Sequence, residues 1–220
     1  MNQPTSPVSR RHLIRRAAGA AIAGTGLALA GSDAGAAPRD RAGKLPTVGQ
    51  TYRLSLNAFG VTLVSHAPPP HPRLNFTGSR TLTILPGGPN FARYEVLDFA
   101  MNASHPLLGK VTLAPPLVST PNSRISRSPD GLLEDWRQPI VMTVERLGGR
   151  TGPFLFTTSA APHLVAHLTR FPPPRQKARP GGPPAGGALY RAQGPIRLAS
   201  PGDGRTFTRL ERFDVSQGRA

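Results

Sequence analysis

The sequence predicts an all-β fold, a single-domain antiparallel β-sandwich or barrel, preceded by an N-terminal segment of different character. Three observations point there. Runs rich in β-branched and aromatic residues alternate with polar ones, as half-buried strands do. Glycine and proline, 24 and 26 of 220 residues, punctuate those runs roughly every ten residues. No apolar stripe of helical period lasts beyond two turns, so any helix after the N-terminal segment is expected to be short.

The N-terminal segment begins Ser9-Arg10-Arg11-His12-Leu13-Ile14-Arg15, continues through a weakly apolar Ala/Gly run from Ala17 to Gly31, and ends at Ala34-Gly35-Ala36-Ala37. Paired arginines, a short apolar run and an A-x-A exit are the parts of a bacterial export signal. The segment resembles the twin-arginine translocation signal. That resemblance implies the twin-arginine export machinery as a partner, cleavage after Ala36 with Ala34 and Ala36 as the small residues of the exit, and a destination outside the cytoplasmic membrane. The apolar run falls below the length that spans a bilayer as a helix. Residues 37–50 carry proline, glycine and charge with little apolar content, and read as a flexible lead-in. The β-rich domain is expected over 51–220.

The chain contains no cysteine, which excludes disulfides, thiol chemistry and a lipid-anchored N-terminal cysteine. Its formal charge is +16, and all but Lys44, Lys110 and Lys177 of its 27 basic residues are arginine. That charge suits anionic polymers of the cell envelope, and equally reads as an arginine-rich solvated surface set by composition. The arginines are scattered, and the 172–187 insert with its Arg175–Arg179 cluster has no aromatic residue interleaved, which argues against nucleic acid.

Within the domain, Tyr52, Leu54 and Leu56 alternate with polar residues and Val61-Thr62-Leu63-Val64 follows Gly60: two strands, or one with a glycine bulge. Prolines at 68–70 and 72 end pairing. Strands are then expected at Thr81–Leu85, Phe91–Met101, Val111–Leu113, Ile140–Val144, Phe154–Thr158 and Leu164–Thr169, with Ser104–Gly109 joining two of them. A Pro/Gly/basic insert at 172–187 reads as an extended arm, its Arg175–Arg179 cluster suited to an anionic polymer. Ala188–Tyr190, Ile196–Leu198, Phe207-Thr208 and a last run from Leu210 to Val215 complete the strands.

Phe76-Thr77-Gly78-Ser79-Arg80-Thr81, Glu95-Val96-Leu97-Asp98-Phe99 and Ser104-His105-Pro106-Leu107-Leu108-Gly109-Lys110-Val111-Thr112-Leu113 occur in this order, and Asp130–Trp136 leads to Ile140–Glu145. With Phe154–Thr157, Leu168–Pro173 and Ala188–Tyr190 after them, this succession resembles a family of secreted bacterial β-rich proteins catalogued only as a domain of unknown function. The resemblance spans about Tyr52 to Leu198. It implies a secreted β-rich fold and brings no catalytic residues. The chain departs from the family's pattern at His105, Trp136 and Thr157.

Few residues invite chemistry. Glu134 and Asp135, beside Trp136, are the densest acidic pair, and paired carboxylates serve as general acid and base. Neighbours on one strand point to opposite faces, so a glycosidase-like site needs a distant acid such as Glu95, Asp98 or Glu145. The plainer reading is a turn with ion pairs to Arg137. His163 and His167 would share a metal only on a helix; on a strand they lie about 13 Å apart on the face opposite Leu164, Ala166 and Leu168. No pattern calls for a cofactor. The functional expectation is an exported, non-catalytic binding or structural protein. The alternatives are a carrier of a small apolar ligand, with a cavity lined by Phe99, Met142, Phe154 and Phe156, and a carboxylate-dependent hydrolase.

Overall fold

Three long strands carry the architecture: β1 (Thr51–Ser65), β2 (Arg73–Gly88) and β3 (Phe91–His105). Shorter ones follow: β4 (Gly109–Ala114), β5 (Ser123–Ser128), β6 (Gly131–Arg137), β7 (Val141–Leu147), β8 (Arg150–Thr158), β9 (His163–Leu168), β10 (Gln176–Arg179), β11 (Gly182–Gly186), β12 (Ala188–Ala192), β13 (Ile196–Ala199), β14 (Thr206–Glu211) and β15 (Val215–Arg219). This computed structural model describes residues 43–65, 69–117, 122–179, 182–201 and 206–220. Arg10, Arg11, Ala34 and Ala36 lie outside the described residues. Among those described there is no helix, and every strand pairing is antiparallel.

The sheet of 13 strands closes on itself twice. One ring runs β1-β2-β3-β4-β7-β8-β13-β14 and returns to β1; the other runs β1-β2-β3-β5-β6-β9-β12-β15 and returns to β1. The fold is therefore two eight-stranded barrels that share β1, β2 and β3. The shared strands are long enough to serve both: Leu54–Asn57 of β1 pair with β15, while Thr62–Ser65 pair with β14. Likewise Phe91–Tyr94 of β3 pair with β5, and Met101–His105 with β4.

One face of β2 lines both interiors. Leu74 and Phe76 face the first barrel and Arg80, Leu82 and Ile84 the second, all buried at the strand period of two. On β1 the buried positions shift from Leu54, Leu56 and Ala58 to Val61 and Leu63, and the register shifts between Ala58 and Val61. The 51–65 segment is thus one strand with a bulge, and Gly60 at φ +66° supplies the left-handed residue it needs. A second irregularity, between Thr81 and Leu82 of β2, lies opposite Val96 and Asp98. Leu97 between them is left outward and exposed.

Besides two strand regions that the sequence reading does not contain, β5 and the Arg73–Arg80 half of β2, the structure departs from it in four places. Residues 43–50 are docked: Gly43 N donates to Gly131 O of β6, Gly49 N to Ile84 O of β2, and Leu45 packs on the core. Since β6 stands four strands from β1 around its ring, this segment crosses the outer end of the second barrel. The 172–187 insert is a hairpin, β10–β11, rather than an extended arm. Gln176 holds it down, accepting from Ser55 Oγ and Asn57 Nδ2 at 3.0 and 2.9 Å and donating to Ser216. Glu134 to Arg137 lie in strand β6 and not in a turn. The Leu210–Val215 run is broken between β14 and β15, with Arg212 at φ 58°.

Candidate functional site

The two interiors differ in chemistry. The second barrel contains an ion pair with no solvent exposure: Arg80 Nη2 lies 2.5 Å from Glu134 Oε1. Both occupy core positions of their strands, Arg80 in phase with Phe76 and Leu82, Glu134 between the buried Leu132 and Trp136. The Glu134 carboxylate also accepts from Tyr94 Oη at Oε1, 2.7 Å, and from Tyr190 Oη at Oε2, 2.6 Å. Arg80 Nη1 donates to Tyr94 Oη at 3.1 Å, and Gln217 Nε2 to Tyr190 Oη at 2.7 Å. The guanidinium carbon stands 4.0 Å from the centre of the Trp136 ring, a cation–π contact in a dry setting. Phe99 and Tyr190 meet the same indole edge-on.

Burial opposes the charge on Arg80, but the Glu134 carboxylate and the two tyrosines outweigh it and hold the guanidinium pKa above its usual value. Burial, then the neighbouring carboxylate, pushes the Tyr94 and Tyr190 phenols well up, against the opposing pull of Arg80. Buried pairs of this kind are costly to break, because removing one partner strands the other charge.

This geometry decides where the acidic candidates lie. Glu134 points into the barrel and Asp135 to the outside, as adjacent strand residues must. Asp135 pairs with Arg137 at 3.2 Å and more loosely with Arg124, and its Oδ1 lies 2.9 Å from His163 Nε2, close in distance though not aligned as a hydrogen bond. Glu95 and Asp98 are exposed on β3, and Glu145 accepts from Lys110 N. None of these acids contacts Glu134, so the structure brings no carboxylate pair together at that residue. His163 and His167 lie on one face of β9, opposite the buried Leu164, Ala166 and Leu168, with His167 exposed. No metal-sized cluster of three ligating side chains occurs among the described residues.

The first barrel has an apolar interior and an opening. A pocket of about 30 Å³ sits at its outer end, lined by Leu63, Leu108, Met142, Val144, Leu147 and Phe156 with Ser65, Pro72 and Thr208. Thr208 Oγ1 is spent on Val64 O at 2.6 Å. The barrel wall is weakest beside this pocket. β8 pairs with β13 only at Thr157 and Thr158, and no strand among the described residues flanks the rest of β8 on that side. A groove of about 510 Å³ lies there, lined by Leu147, Arg150, Pro153, Phe154, Leu155, Phe156, Ser200 and Pro201. Leu147 and Phe156 belong to both, so two side chains form the wall between pocket and groove. Of the four residues expected to line a carrier cavity, Met142, Phe154 and Phe156 lie here, whereas Phe99 packs on Trp136 in the second barrel.

The fold and its interiors define a class: an antiparallel double barrel with one polar-cored and one apolar-cored ring. Among solved structures the chain is similar to DynF from the dynemicin biosynthesis pathway of Micromonospora chersina, with 13% identity and a TM-score of 0.61 over 80% of this chain and 82% of that one. The likeness is one of fold. No protein-family model and no curated protein matches the chain.

Two tests follow from the buried cluster. Glu134→Gln keeps an acceptor oxygen for only one of the two tyrosines, sets an amide NH2 against the other and leaves Arg80 uncompensated, and should cost about 3–5 kcal/mol in urea unfolding. Arg80→Met/Glu134→Gln should be more stable than Glu134→Gln alone; additive losses would show that the two side chains act independently.

The second test is a spectrophotometric titration of the three tyrosines. Tyr52 is only partly buried, and burial, offset by Arg219, raises it more modestly, so it should ionise in the native protein. Tyr94 and Tyr190 should ionise only on unfolding. Their folded pKa values are raised, so their stabilising contribution is complete below about pH 10, where the unfolded phenols are also neutral, and is lost as the pH rises beyond it. Three native phenolate signals would contradict the buried cluster.

Proposed function

We propose that the chain is an exported, non-catalytic binding protein whose first barrel takes a small apolar molecule. The observation that carries this reading is the apolar pocket of the first barrel lying beside the gap where β8 leaves β13. Eight-stranded barrels have interiors that side chains just fill or that hold one small ligand. In the second barrel the buried ion pair and the crossing 43–50 segment leave the chain itself as occupant. In the first, the pocket of about 30 Å³ has room for little more than a water. A ligand enters only as Met142, unbranched and adaptable, and the Leu147–Phe156 wall give way and join it to the groove of about 510 Å³. The fold neighbour works in a biosynthetic pathway, a setting in which small molecules are handled. Glu134 is fully buried against an arginine and two tyrosines, and no second carboxylate among the described residues stands beside it.

The reading is tested with N-phenyl-1-naphthylamine, an uncharged apolar dye whose fluorescence rises on leaving water. Saturable binding to the mature chain is expected. Val144→Trp, which fills the pocket, should weaken binding at least tenfold, about 1.4 kcal/mol, while Ile125→Val in the second barrel should not change it. Absence of saturable binding, or equal binding by Val144→Trp, would overturn the assignment.

Export rests on the paired arginines and the A-x-A exit. Replacing Arg10 and Arg11 together by lysine should leave uncleaved precursor inside the producing cells; normal appearance of mature protein outside would remove the twin-arginine route.

A further inference from the structure

The outer end of the first barrel combines the apolar opening with cationic side chains. The β3–β4 and β7–β8 turns lie there, beside the start of β2 at Arg73 and the end of β13 at Ala199. At their described margins stand Arg73, Lys110, Arg146 and Arg150, none with an ion-pair partner among the described residues. Glu145, the acid on β7 at this end, accepts from the neutral backbone N–H of Lys110 at 2.8 Å, and the four cations outnumber it. Leu107, at the tip of the β3–β4 turn, is 74% exposed, and Leu155, on the groove beside the opening, is 47% exposed. The turn's backbone conformation keeps Leu107 outward: Leu107 N donates to His105 Nδ1, Leu108 N to His105 O, and Leu108, not Leu107, turns into the pocket.

A leucine held out at a turn tip, cations around it and an apolar opening behind it match an anionic bilayer in layers. Basic side chains meet phosphate headgroups within a Debye length, and the apolar tip reaches the acyl boundary. A soluble polyanion would use the charges but leave Leu107 and the opening without a role. The end carrying the crossing 43–50 segment offers no apolar opening of this kind among the described residues.

We propose that this end of the first barrel docks on the surface of an anionic phospholipid bilayer, placing its side opening where an apolar molecule passes between membrane and barrel. The inference rests on the apolar-ligand reading for the passenger, but the docking stands or falls on its own measurement.

The experiment is co-sedimentation of the mature chain with vesicles of phosphatidylglycerol and phosphatidylcholine in equal parts, and with vesicles of phosphatidylcholine alone. Binding to the mixed vesicles only, and weakening with added salt, is expected. Leu107→Asp should lower the partition several-fold, and Lys110→Glu/Arg146→Glu at least tenfold. Lys44→Glu/Arg127→Glu, which changes net charge equally at the far end, should stay within twofold of the unaltered chain. Equal losses from the two charge pairs, displacement of the vesicles by poly-glutamate with no dependence on Leu107, or no vesicle binding at all would each overturn the docking.

The dye titration separates the two ideas. Leu107→Asp and Lys110→Glu/Arg146→Glu should bind the dye in solution as the unaltered chain does. Dye binding without vesicle binding overturns the docking alone; vesicle binding without dye binding supports the docking and overturns the ligand reading.

Discussion

A single face of β2 has to serve two interiors, and the rest of the structure follows from how that is arranged. The rings diverge from a common three-stranded sheet, so its inward residues must change barrel partway along without changing side. Bulges achieve this, because one extra residue bends and twists a strand while keeping the same face inward. Gly60 supplies the bend on β1 and the outward Leu97 marks the one on β3. Between them, at the junction, β2 has Gly78, where an added Cβ would stand 1.9 Å from Ala100 O. A side chain there would force β2 and β3 apart at the waist of the molecule.

The polar core of the second barrel makes sense as a device of the same architecture. β2 and β6 are three strands apart in that ring, so no backbone hydrogen bond sets their mutual position. Arg80 and Glu134 do so through the interior, with Tyr94 of β3 and Tyr190 of β12 drawn to the same carboxylate. Four strands thereby converge on one charged centre. An apolar interior would tolerate a strand slipped by two residues, since hydrophobic burial has no direction. A guanidinium and a carboxylate that must meet do not tolerate it, because the slipped state strands two charges in a dry barrel.

Much of this fold was legible because strands announce themselves by period, and the all-β class, the β3–β4 connection at Ser104–Gly109 and the outward face of His163 and His167 all follow from alternation. What escaped is equally physical. Arg80 sits in a strict even-numbered series with Leu74, Phe76, Leu82 and Ile84, and a charged residue in core phase was the available signal for a buried partner. Glu134 gave the same signal between Leu132 and Trp136, but reading Glu134 and Asp135 as a pair drew attention from phase to proximity in sequence. The hairpin at 176–186 and the docking of 43–50 depend on polar and backbone contacts to distant strands, with few apolar residues to mark them. Closure into two rings depends on which short strand meets which half of a long one, and local sequence does not encode that.

The asymmetry between the barrels bears on function. A ring whose centre is an ion pair and whose end is crossed by its own chain has spent its interior on rigidity. Its neighbour has no charged residue in its pocket, an adaptable methionine in the lining, and only two strand pairs holding β8 to β13. Opening that seam costs two ladder positions, whereas the equally short β9–β12 seam of the second barrel is also tied through the interior, Tyr190 of β12 donating to Glu134 of β6. Since the barrels share three strands, the rigid one can hold β1, β2 and β3 in place while the wall farthest from them, at β8 and β13, gives way. On the proposed reading, a ligand taken up by the first barrel would leave undisturbed the framework that keeps it folded, a division of labour that two rings on one sheet provide and one ring does not.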